Sequence, residues 1–109
     1  MAEKENAQKM LELIEDAWKS SPSVVLMTDD YVYALWPSDE ERKTWKEASF
    51  VFEDGSLEIS QHPAHIALQL FIKEVSIALP NYKNVVIAAE DREKLNKILD
   101  KIKEIAKSG

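Results

Sequence analysis

Cysteine is absent from the 109 residues, and glycine occurs only at Gly55 and Gly109. Without cysteine there are no disulfides, thiolate nucleophiles, thiolate-zinc sites or iron–sulfur clusters, a composition that suits the reducing interior of a cell. With so little glycine the chain cannot build either common phosphate-cradling loop, since both need several glycines close together. No Gly-x-Ser-x-Gly elbow exists either, which removes the usual setting of a hydrolase serine. Long apolar runs are also missing. The longest, Ala64 to Ile72, is broken by His65 and Gln69 and falls well short of the roughly 20 residues that span a bilayer. The start, Met1-Ala2-Glu3-Lys4-Glu5-Asn6, lacks the basic-then-apolar order of a secretory signal. A cytoplasmic protein without membrane contact is the expectation.

Basic residues are outnumbered. Fourteen Lys and Arg face twenty Asp and Glu, for a net charge of −6, which opposes binding to phosphate backbones. The imbalance is concentrated in residues 21–60, with nine acids against Arg42, Lys43 and Lys46, whereas residues 80–109 carry seven bases and five acids. The lysines of the last segment (Lys94, Lys97, Lys101, Lys103, Lys107) are interleaved with acids, the pattern of a solvated helix face rather than a DNA-binding one. No nucleic-acid partner is expected.

What is present suffices for one domain over 1–109: a 45% hydrophobic content supports a core without staples. Among the charged residues Glu and Lys dominate. In this usage the chain resembles the small proteins of hyperthermophilic archaea, where Glu–Lys networks replace labile polar residues. The resemblance is one of composition and implies thermophily, not an activity.

Residues 3–20 read as an amphipathic helix with Ala7, Met10, Leu11, Ile14, Ala17 and Trp18 inward. Val24–Thr28 and Tyr31–Trp36 read as a hairpin about Asp29-Asp30; a tight turn would oppose Met27 to Val32 and Leu26 to Tyr33. Both its faces are apolar, so cover is needed on both sides. Pro37-Ser38-Asp39-Glu40-Glu41 has the capping-box spacing of a short helix running to Ala48. Asp54-Gly55 then predicts a two-residue hairpin turn that opposes Phe52 to Leu57 and Phe50 to Ile59.

Pro63 suits a first helical position and makes His62 the N-cap of a helix running to Leu79. That helix is apolar nearly all round, which predicts burial by more than one neighbour. Val85–Ala89 reads as a strand parallel to the one ending near Ile59, and residues 90–107 as a last amphipathic helix. The expected class is α+β in the order α-ββ-α-ββ-α-β-α: about five mostly antiparallel strands with one parallel pair. This order resembles that of the roadblock/profilin-like interaction modules, except that a helix here separates strands which that family keeps together.

Candidate sites are few. His62 and His65, in His-Pro-Ala-His at a helix start, are the only histidines. They could hold an anion at the positive end of the helix, or zinc with Glu58 or an acid of the first hairpin as a third ligand. The same helix end disfavours cations, and nothing in the spacing fixes a third ligand, so neither metal nor cofactor is assigned. Asp29, Asp30 and Asp54 have turn chemistry as their simplest explanation. Tyr31 and Tyr33 point to one side of their strand, where their hydroxyls need water or a partner; that side is a covered core face, a ligand surface or a candidate subunit interface. The leading expectation is a non-enzymatic interaction module acting as a homodimer. The alternative is a small anion- or metal-binding protein or hydrolase using His62 and His65.

Overall fold

The computed structural model describes residues 2–20, 23–78, 84–86 and 92–108. Helix α1 (Ala2–Ser20) leads into strands β1 (Val24–Met27), β2 (Tyr31–Pro37), β3 (Thr44–Val51) and β4 (Leu57–Pro63). Helix α2 (Ala64–Ala78), the three-residue strand β5 (Asn84–Val86) and helix α3 (Arg92–Ser108) follow. The class is α+β. β1–β4 form an antiparallel meander and β5 joins along β1, giving the order β4-β3-β2-β1-β5.

The first hairpin is tight, with Met27 opposite Val32 and Leu26 opposite Tyr33. Asp29 and Asp30 make the turn without positive φ. Thr28 makes this work: its hydroxyl oxygen accepts the backbone N–H groups of Asp30 and Tyr31 at 3.0 and 3.1 Å.

The helix expected over 38–48 is a hairpin turn followed by β3, which leaves three helices among the described residues. The Ser38–Glu41 spacing does not cap a helix. Instead the Asp39 carboxylate accepts the N–H groups of Lys43 and Thr44 at 2.9 and 3.2 Å, turning the chain back. Across the turn the Ser38 N–H donates to the Thr44 carbonyl at 2.9 Å. Thr44, Trp45, Phe50 and Val51 are β-forming residues, and pairing along the whole of β2 outweighs the local helical signal.

The second hairpin is two residues looser than expected. Phe50 faces Leu57 and Ala48 faces Ile59. Only Gly55 takes a positive φ, 68°, while Asp54 uses its carboxylate to accept the Ser56 N–H at 2.9 Å. The two-residue shift preserves side-chain parity, so Phe50, Leu57 and Ile59 keep a common face.

The expected parallel pair is also replaced. β5 runs antiparallel to β1, Val25 against Val86, at the edge of the sheet opposite β4. The α2 crossover spans the sheet instead of returning beside β4. Residues 87–89 of the predicted strand lie outside the described residues.

The two faces of the sheet differ in their cover. α1 and α3 pack against each other and over one face, burying Val25, Val32, Ala34, Trp36, Ala48 and Phe50 together with Met10, Ile14, Ile98 and Ile102. All six residues expected inward on α1 are buried. Asn6 Nδ2 donates to the Gly55 carbonyl at 2.7 Å, tying α1 to the β3–β4 turn. α2 covers the other face.

Candidate functional site

Under α2 the sheet changes character from one edge to the other. Adjacent strands align Glu58, Ser49, Tyr33 and Leu26 in one row and Ser60, Glu47, Leu35 and Val24 in the next. Along these two rows the carboxylates and serine hydroxyls lie on β3 and β4, and the aromatic and aliphatic side chains on β1 and β2. α2 sits over this gradient with Ala67 buried and Leu70, Phe71 and Glu74 partly buried, at helical spacing. A cleft opens on each of its flanks.

The polar cleft encloses about 420 Å³ and includes Tyr31, Tyr33, Glu47, Glu58, Lys73 and Glu74. Tyr33 Oη donates to Glu47 Oε2 at 2.7 Å, and Tyr31 Oη donates to Glu74 Oε1. The hydroxyls that sequence reading left in need of partners thus meet carboxylates within the chain. Tyr33 is buried and Tyr31 half-buried, both beneath α2. The same Glu47 approaches His62, with Oε1 3.8 Å from Nε2.

This corrects the expected role of His62. It lies in β4 opposite Trp45, not at a helix cap, and Pro63 is the last residue of the strand. At the start of α2 the Ala64 N–H donates to the Lys43 carbonyl at 2.8 Å, so one of the donors expected to hold an anion is already engaged. Glu47 beside His62 further disfavours an anion there. His65 falls in the first turn of α2 and is exposed. Glu58, proposed as a metal ligand with the histidines, is four positions from His62 along β4, about 13 Å away. Among the described residues no group of three histidine or acidic side chains converges to hold a metal ion. Nor does a serine or threonine hydroxyl there hydrogen-bond either histidine. Glu47 was missed as a partner of His62 and Tyr33 because the sequence read as helix around it. Its alternation with Trp45 and Ser49 was the available signal.

The second cleft encloses about 410 Å³ and is lined by Val24, Leu35, Trp45, Ala64, Ala67, Leu68 and Phe71, with Arg42 the one charged residue. Arg42 ends the Asp39 turn in the left-handed region, φ 62°, a conformation that costs a non-glycine residue roughly 1 kcal/mol. Its guanidinium lies 5.5 Å from the centre of the Trp45 ring, and its carbonyl accepts the Trp45 indole N–H at 3.1 Å.

The outer side of α2 carries the third feature. Leu68 is 58% and Ile72 55% exposed, one turn apart, with His65, Gln69 and Ser76 along the same stripe. The expectation that this helix is buried on several sides is not met at Leu68 and Ile72, while Ala67 on its inner side is buried against the sheet. No helix among those residues is long and apolar enough to cross a membrane.

Comparison with known proteins returned no matching family model, no curated protein and no solved structure.

Proposed function

We propose that the protein is a non-enzymatic interaction module that works as a homodimer, joined through the outer face of α2. The observation that carries this reading is the exposed Leu68–Ile72 pair on a helix whose other side is already seated. Large aliphatic side chains left more than half in water gain about 25 cal/mol for each Å² that a partner covers. A second copy suits the stripe. Two α2 helices crossing antiparallel near Leu70 bring Leu68 of one against Ile72 of the other, the self-complementarity a two-fold interface requires. Charge favours the same contact, because the stripe carries no carboxylate while the chain as a whole is −6. Two acidic copies meet there with the least repulsion.

Light scattering tests the reading. Wild type is expected at twice the monomer mass of 12.5 kDa, and Leu68→Glu and Ile72→Glu at the monomer mass with unchanged circular dichroism. A wild type that remains monomeric up to millimolar concentration removes the proposal.

A further inference from the structure

The apolar cleft between α2 and strands β1–β3 has the build of a small-molecule site, and its chemistry points to one class of ligand. Its volume of about 410 Å³ falls within the range of pockets that hold small organic molecules. Seven of its eight lining residues are apolar or aromatic, with Leu35 and Ala67 buried at the floor. Such a lining accepts a hydrocarbon or aryl body and offers almost nothing to a polar one.

Arg42 is the exception. Its guanidinium is exposed and held over Trp45 by a cation–π contact rather than by a carboxylate. Among the described residues no acidic side chain is ion-paired with it. Two of its acidic neighbours are engaged elsewhere: Asp39 accepts two backbone N–H groups and Glu41 pairs with Lys43 at 2.8 Å. An available guanidinium beside an apolar cleft matches an anionic head on an apolar body, and guanidinium recognises carboxylate through paired N–H donors. Arg42 also holds a left-handed backbone that glycine would adopt without strain, and strain of this kind clusters at ligand-binding sites.

We propose that this cleft binds a small apolar carboxylate, its body between Leu35, Trp45, Ala67 and Phe71 and its carboxylate on Arg42. The site lies within one chain and does not depend on the α2 dimer, although Leu68 borders both surfaces.

Titration with decanoate, kept below its micellar concentration, and with decanol tests this by calorimetry and by the NMR signal of the Trp45 indole N–H. Decanoate is expected to bind and to move that signal, with decanol at least tenfold weaker. Arg42→Gln should weaken decanoate about tenfold and leave decanol unchanged. Ala64→Phe, which closes the mouth, should abolish both while circular dichroism and melting stay those of wild type. The Ile72→Glu variant, altered outside the cleft, should bind decanoate as wild type does, whatever its oligomeric state. Equal binding of the two probes, no shift at Trp45, or binding lost in Ile72→Glu would each overturn the proposal.

Discussion

The two faces of this sheet are built to different standards. Among the described residues, seventeen buried side chains form the cluster beneath α1 and α3, whereas four form the one beneath α2. The first face is closed by two long amphipathic helices that also bury each other. The second is closed by one helix, whose inner stripe meets Leu26, Tyr33 and Leu35 on one half of the sheet and hydrogen-bonding groups on the other. Among the described residues the larger apolar core therefore lies on the α1/α3 face. The α2 face keeps polar contacts and uncovered apolar surface, features from which binding is made.

Core truncation should separate the faces most sharply. Phe50→Ala, at a fully buried position under α1 and α3, is expected to cost about 3–5 kcal/mol in denaturant unfolding. Leu68→Ala and Ile72→Ala, measured on the dilute protein, should stay within about 0.5 kcal/mol of wild type. Comparable losses at all three positions would mean that α2 is packed on both sides.

Tyr33→Phe probes the polar half of the second face. It removes the donor 2.7 Å from Glu47 and should cost about 1.5–3 kcal/mol, the worth of a hydrogen bond to a charged group. Light scattering on the same variant should give an unchanged mass, because Tyr33 lies beneath α2 and not on its outer stripe. A shift to monomer would return the interface to the tyrosines.

Much of the first face was legible from sequence, and little of the second. On α1 and α3 the apolar residues recur at three and four and most remaining positions are polar, so local pattern and tertiary burial agree. In the first hairpin the two-residue gap suggested the observed register, but Asp-Asp is a poorer tight turn than Asp-Gly and left a longer loop open. Residues 38–48 misled because Ser38, Glu40 and Glu41 suit a helix start as well as a turn. The choice was made by pairing with β2, a contact that no local window contains. Helix α2 misled in the opposite direction: apolarity on all sides signals burial but does not say in what, and a second subunit satisfies it as well as a second layer. His62 followed the same error, because its assignment as a cap depended on Pro63 opening the helix rather than closing a strand. Glu47 became visible as its neighbour only after β3 was in place.

Smaller effects are expected at the turns. Asp39→Ala removes the acceptor of two backbone N–H groups and should cost about 1 kcal/mol. Arg42→Gly should nearly cancel, relief of the left-handed backbone offsetting the lost contact with Trp45, so its melting temperature should remain close to that of wild type. At Asp54 the hydrogen bonds from Ser56 hold the carboxyl below its ordinary 3.8. A carboxyl with a lowered folded-state pKa favours the native state above its unfolded value and loses that contribution as pH falls through the folded one. Because Asp54 is fully exposed, the effect belongs to the turn. An NMR titration should show its midpoint below 3.8, rising toward the ordinary value in the Ser56→Pro variant, which lacks both the donated N–H and the hydroxyl.

Hydrogen exchange at increasing protein concentration tests most directly whether one face is closed and the other awaits a partner. Protection of the α2 amides should rise as the protein is concentrated, while that of α1 and α3 stays constant, because association stabilises only the helix it covers. Protection of α2 that equals that of α1 and α3 and does not change with concentration would contradict the account.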